Sequence, residues 1–300
     1  MKYPYSPELP KPFSFGDLNF ESNPVVKLGF KAYIALTKAQ VKKLHCPKKR
    51  VGEIDCYQVE PQTEEKLPAI LYCHGGGFVF PLQPMMFQNS AYYRDRLGCR
   101  VFLPEYRYAP KFPFPTPLED CLNTYKYIYE NAECLRVDRN RMIVLGDSAG
   151  GALAAAVCLR LRDEGYNAPV CQVLLYPVTD NSMRHESMVS CADANWTRSA
   201  TAHMWSMYLK NGDRGQLSYA APLQSADLRG LPPAYVEVCE FDCLRDEGLA
   251  YAEKLKTGGV PVESHVVKGA YHGYDAFIEV PLVREHLEKR VNFMKKYLEG

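Results

Sequence analysis

The stretch from Met142 to Leu153, Met-Ile-Val-Leu-Gly-Asp-Ser-Ala-Gly-Gly-Ala-Leu, limits what this chain can become more than any other. Met142 to Leu145 is a short apolar run of the kind that forms a buried parallel strand. Gly146-Asp147-Ser148-Ala149-Gly150 then predicts a tight turn, and small and apolar residues at helix spacing follow it. Strand, sharp turn and helix, with a serine at the apex, is the layout of a nucleophile elbow. Glycines flank such a serine because the neighbouring backbone leaves no room for Cβ atoms. The hydroxyl of Ser148 would stand above the sheet, at the positive end of the following helix. Gly-x-Ser-x-Gly alone arises by chance in about one chain in ten of this length, so its meaning depends on the rest of the sequence.

That context is an alternation of strands and helices. Leu67 to Cys73 and Arg100 to Leu103 predict further buried strands, and Val51 to Val59 predicts an antiparallel strand at the sheet edge. Helical spacing covers Pro84 to Leu97, stopped at Gly98, and Pro117 to about Cys134. The helix behind Ser148 is expected to run to Gly165, with a strand at Val170 to Tyr176. Such alternation implies parallel pairing through right-handed crossovers. From Thr179 to about Leu231 no sheet strand is apparent, only a helical stretch around Ala200 to Leu209; so long an interruption points to a functional cover. Strands at Ala234 to Cys239 and Val262 to Val267 resume the pattern, with helices at Leu244 to Thr257 and Val283 to Leu298. Near the N-terminus, Val26, Phe30, Tyr33, Ile34, Thr37, Val41 and Leu44 recur at the spacing of one amphipathic helix. The expected division is an N-terminal segment at 1–45, a core at 46–178 and 232–300, and a covering insertion at 179–231.

Composition excludes several function classes. With 36 Lys and Arg against 35 Asp and Glu, nothing in the charge balance recruits nucleic acid or an anionic membrane. No apolar run approaches the length of a spanning helix, and no signal core is evident. The 11 cysteines lack paired spacing, which argues for reduced thiols and a cytoplasmic location. Cys239 and Cys243 have no second pair to join, so no metal is expected. Asn195-Trp196-Thr197 fits a glycosylation sequon, a coincidence in a cytoplasmic chain.

Serine needs a base to take its proton and a third group to orient that base. On this scaffold the partners belong in loops at carboxyl ends of strands, in chain order serine, acid, histidine. His272 lies just past the last strand, and Asp242 just past the one before it. Of the other histidines, only His74 also sits at a strand end beside glycine; His45, His185, His203, His265 and His286 need no function. Among Glu237, Glu240, Asp242, Asp246 and Glu247, Asp242 is best placed and Glu240 second. Gly75, Gly76 and Gly77 follow a strand end and can turn consecutive N–H groups inward; with the N–H of Ala149 they would form an oxyanion hole.

Together these motifs resemble the hormone-sensitive-lipase-like esterases of the α/β-hydrolase fold. The resemblance rests on His74-Gly75-Gly76-Gly77, Tyr106-Arg107-Tyr108-Ala109-Pro110, Gly146-Asp147-Ser148-Ala149-Gly150-Gly151, Asp242 to Gly248 and His272-Gly273-Tyr274. It implies a mostly parallel, twisted eight-stranded sheet flanked by helices, a catalytic core under a helical cap made of the N-terminal segment 1–45 and the insertion 179–231. It implies Ser148 as nucleophile, His272 as base, Asp242 as its orienter, and Gly76, Gly77 and Ala149 as oxyanion donors, with His74 holding the glycine loop. Cys243 replaces the family's usual proline, Tyr274 its phenylalanine and Tyr108 its leucine. The expected reaction is two-step hydrolysis of a small-molecule, short-chain ester with no cofactor, by a monomer or homodimer without stable membrane association. Phe20, Trp196, Trp205 and Tyr208 are candidate pocket aromatics. Amidase, formamidase or lactonase activity on the same residues is the alternative, and an inactive ligand-binding homologue a further one.

Overall fold

The computed structural model describes residues 3–12, 35, 39, 41–44 and 46–299. Eight strands form one sheet: β1 (Lys48–Val51), β2 (Ile54–Val59), β3 (Leu67–Cys73), β4 (Arg100–Pro104), β5 (Val137–Asp147), β6 (Cys171–Leu175), β7 (Ala234–Phe241) and β8 (Val262–Tyr271). Their order is β1-β2-β4-β3-β5-β6-β7-β8. β1 and β2 pair antiparallel, as do β2 and β4; every other pair is parallel.

The central strands read as continuous apolar runs because both their faces are covered. In β3, Ala69, Leu71 and Cys73 face one core and Ile70 and Tyr72 the other; Val144 and Ile143 of β5 divide in the same way. Helices Thr116–Glu130, Ala149–Asp163 and Arg245–Thr257 pack on the first face. Helices Pro84–Leu97 and Pro281–Leu298 pack on the second. Between residues 179 and 231 no strand joins the sheet; helices Ser187–Ser190, Arg198–Tyr208 and Leu217–Ala220 occupy this stretch. Their Met188, Met204, Trp205 and Tyr208 are buried in the same core as the helix behind Ser148.

Three expectations need correction. Val51 to Val59 is not one strand but the end of a hairpin, turned at Gly52 with φ of 61° and bringing Val51 opposite Ile54. The helix expected to reach Cys134 ends at Glu130, where the Asn131 side chain caps the Tyr127 carbonyl. β5 starts at Val137, five residues before its apolar run, because Leu67 pairs with Val137 ahead of a register shift. Of the amphipathic helix expected near the N-terminus, Val26, Phe30, Tyr33, Ile34 and Thr37 lie outside the described residues, as do His45 and Phe20; Val41 and Leu44 pack against the second core.

Candidate active site

The elbow follows from steric exclusion. Ser148 has φ of 55° and ψ of −121°, a strained conformation for a residue with a side chain. A Cβ on Gly146 would fall 2.0 Å from the Gly150 carbonyl oxygen, and one on Gly150 would fall 2.0 Å from the Cys73 carbonyl oxygen. Only glycine lets the turn close on itself and on β3. The Ser148 N–H donates to the Leu175 carbonyl at 2.8 Å, and the Ser148 carbonyl accepts from Gly151 and Val178, so the strained turn is held on both sides.

His272 follows β8 directly, with Gly273 beyond it at φ of 74°. Its Nε2 lies 2.9 Å from Ser148 Oγ, and its Nδ1 lies 2.7 Å from Asp242 Oδ2. Asp242 Oδ1 accepts from the Leu244 N–H at 3.0 Å, which fixes the carboxylate's rotation. Asp242 is fully buried and Ser148 is 5% exposed. The competing carboxylates are engaged elsewhere. Glu240 accepts from the Gly269 N–H and Lys268, Asp246 from the Ser187 N–H, and Glu247 from the N–H groups of Thr179 and Asp180.

The glycine loop is built from its neighbours. The Tyr106 hydroxyl donates to the His74 carbonyl at 2.9 Å, and the Tyr106 ring stacks on the His74 imidazole at 4.1 Å. Burial pushes the His74 imidazole down to about 4, so it is neutral, and its Nδ1 lies 2.8 Å from the Gly75 carbonyl. The Gly75 N–H donates to Asp147 Oδ1 at 3.1 Å. Among the described residues no protein group accepts from the N–H of Gly76 or Gly77. Gly76, at φ of 108°, holds the turn open for them. Ala149 is the first residue of the helix after Ser148, so its N–H has no intrahelical acceptor.

Two aromatic residues flank His272. Tyr176 meets the imidazole edge-to-face at 4.8 Å, and its hydroxyl donates to Asp275 at 2.6 Å. Trp196 stacks on the imidazole with centroids 5.5 Å apart, and its indole Cη2 would lie 3.4 Å from a Cβ on Gly77. Trp196 therefore walls the space between His272 and the glycine loop. Of the other candidate pocket aromatics, Tyr208 is buried and stacks on Phe78 at 3.7 Å, with Trp205 packed beside both. Tyr176 is not among the sequence candidates: it reads as the last residue of the expected strand Val170 to Tyr176, whereas β6 ends at Leu175 and leaves Tyr176 in the loop beyond it. Among the described residues no cluster of three or more His, Cys, Asp or Glu could hold a metal ion.

A family described as having the alpha/beta hydrolase fold matches residues 70–276. The chain belongs to the hormone-sensitive-lipase-like esterases of the α/β-hydrolase fold. Esterase LipI of Mycobacterium tuberculosis is 33% identical over 242 residues, which cover 79% of this chain and 75% of that one. An ethyl acetate hydrolase of Pseudomonas putida is 33% identical over 221 residues, 71% of this chain and 69% of that one. Among solved structures, a bacterial heroin esterase superposes with a TM-score of 0.83 at 31% identity, covering 99% of both chains. A thermostable esterase from Pseudomonas putida superposes with a TM-score of 0.82 at 30% identity, covering 92% of both. Among the described residues of this member of the family, no helix is long and apolar enough to cross a membrane.

Proposed function

We propose that this carboxylic ester hydrolase cleaves short-chain acyl esters through Ser148, His272 and Asp242. The observation that carries the reading is the continuous relay from Ser148 Oγ to His272 Nε2 at 2.9 Å and from His272 Nδ1 to Asp242 Oδ2 at 2.7 Å. Asp242 holds the proton on Nδ1, leaving Nε2 free to accept the serine's. Ser148 Oγ attacks the ester carbonyl carbon as its proton passes to His272 Nε2. The carbonyl oxygen becomes an oxyanion facing the N–H groups of Gly76, Gly77 and Ala149, each worth about 2.7–4 kcal/mol in systems of this kind. Collapse breaks the bond to the alcohol oxygen, which leaves with the proton from His272. Water, deprotonated by the same nitrogen, then attacks the acyl-enzyme and releases the acid.

Residues 179–231, with the N-terminal segment 1–45, are the proposed cap. Trp196, lodged between the base and Gly77, supports a preference for small acyl groups by limiting the room beside the reacting carbonyl. Eleven free cysteines support work in a reducing compartment. The test is an acyl-chain-length series of p-nitrophenyl esters, run beside anilides and lactones, on the wild type and on Ser148→Ala. Ester turnover highest at two to four acyl carbons, lost in Ser148→Ala by about 10⁴-fold or more, is expected. Equal rates in the two proteins would refute the assignment of the nucleophile, and a faster anilide or lactone reaction would refute the ester.

A further inference from the structure

His272 stands where the sheet no longer supports it. The last pairing on β8 joins Tyr271 to Phe241, and β8 is the terminal strand, so the peptide groups of the next residue have no strand beside them. Both find their partner in one side chain from the insertion, 77 positions away. The Asn195 Nδ2 donates to the His272 carbonyl at 2.7 Å, and the His272 N–H donates to Asn195 Oδ1 at 3.1 Å. This pair of bonds substitutes a side-chain amide for the missing neighbouring strand, fixing the His272 main chain at both polar atoms. Asn195 is itself only 5% exposed, and the next residue, Trp196, stacks on the imidazole. The insertion thus grips the backbone and the ring of the same residue.

We infer that Asn195 is a positioning residue for the base: its amide sets the main chain of His272, and so couples placement of the insertion to the reactivity of Ser148. The inference rests on the proposed role of His272. It gives the Asn195-Trp196-Thr197 sequence a use unrelated to glycosylation. Asn195 clamps the histidine, Trp196 covers it, and Thr197 caps the helix Arg198–Tyr208 by accepting from the Ala200 N–H. A near-isosteric carboxylate at 195 would keep an acceptor for the His272 N–H but lose the donor to its carbonyl. Alanine would lose both.

The experiment compares Asn195→Ala, Asn195→Asp, Thr197→Ala and Ser148→Ala with the wild type. It measures kcat and KM on a short-chain p-nitrophenyl ester per folded molecule, thermal melting, and the rate of fluorophosphonate labelling. Loss of both bonds is expected to lower kcat and the labelling rate about 10- to 100-fold, with KM changing by less than about twofold. Asn195→Asp is expected to fall between Asn195→Ala and the wild type. Thr197→Ala, which disturbs the same segment without touching His272, is expected to melt earlier yet keep kcat within about twofold. The inference is overturned by wild-type kcat and labelling in the folded Asn195 variants, or by an equal kcat loss in Thr197→Ala. Should Asn195→Ala not fold, Asn195→Asp alone decides. Undiminished turnover by Ser148→Ala would instead remove the serine reading on which the inference rests, so the two failures are distinct.

Discussion

Replacing Arg290 with methionine tests how the buried polar cluster around Glu237 and Asp275 is held. Arg290 is fully buried, bonded to Glu237 and, at 2.7 Å, to Asp275, with the hydroxyls of Tyr93 and Tyr274 at 3.3 Å. Methionine fills comparable volume but leaves two buried carboxylates without their cation. Breaking a buried pair in this way costs about 3–5 kcal/mol. For a 300-residue chain, an unfolding entropy of about 0.63 kcal/mol/K turns that loss into a fall in Tm of about 5–8 °C. The pH dependence gives the prediction its sign. Burial would raise the Glu237 carboxyl, but the Arg290 guanidinium, aided by His286, outweighs burial and holds it well below the usual range. The folded wild type therefore binds fewer protons than the unfolded chain in acid. The contribution is complete above an unfolded glutamate's pKa of about 4.3 and is lost as pH falls towards the depressed native value. In Arg290→Met burial acts unopposed by that cation. The gap between wild type and variant is thus largest near neutrality and narrows in acid. Thermal melts by circular dichroism between about pH 4.5 and 7.5 read this directly. Adding Glu237→Gln and Asp275→Asn to the variant should recover part of the loss by removing the unpaired charges. A Tm within about 1 °C of wild type at neutral pH, or a gap that widens in acid, would refute the reasoning.

Three further outcomes are expected. Gly150→Ala drives a Cβ to 2.0 Å from the Cys73 carbonyl oxygen, and backbone cannot yield there cheaply. A loss above about 4 kcal/mol, read as insoluble or early-melting protein, is expected, and a wild-type melt would contradict the elbow geometry. Burial first, then the charge of Asp275, raises the Asp147 carboxyl to about 7. From about pH 4 to 7 the native state thus holds more protons than the unfolded chain, so this group costs stability as pH rises. Asp147→Asn keeps an acceptor for Gly75, so its Tm should fall less than wild type's on going from pH 5 to 8; an equal fall would contradict the shift. Only Cys134 of the 11 cysteines is exposed. Ellman's reagent should therefore modify one thiol rapidly in the native protein and the rest after unfolding, and two or more fast thiols would contradict the packing.

The buried cluster shows where sequence reading stops. Tyr274 reads as a departure from the family's phenylalanine, with no stated purpose. In the fold its hydroxyl donates to Glu237 at 2.9 Å, completing a site that also receives Tyr235, His286 and Arg290. These groups come from β7, the loop after β8 and the C-terminal helix, and no local spacing links them. His286 is legible only as a histidine on a helix, and Glu237 only as a mid-strand carboxylate. Their burial together depends on the C-terminal helix packing against β7, which no spacing within either element announces.

Local chemistry alone determined the elbow. A serine between glycines after an apolar strand can turn in few ways, and Gly146 and Gly150 are required because their Cβ atoms would strike backbone. The apolar runs of β3 and β5 likewise announce strands covered on both faces. Tertiary structure decided what is non-local. It chose Asp242 over Glu240 as the partner of His272, turned Val51 to Val59 into a hairpin, and brought Asn195 to the peptide of His272. The physical reason is range. Steric exclusion and hydrophobic period act over a few residues and are written in the sequence. The meeting of residues 148, 242 and 272 is set by sheet register and crossover connections, which depend on the packing of the whole chain.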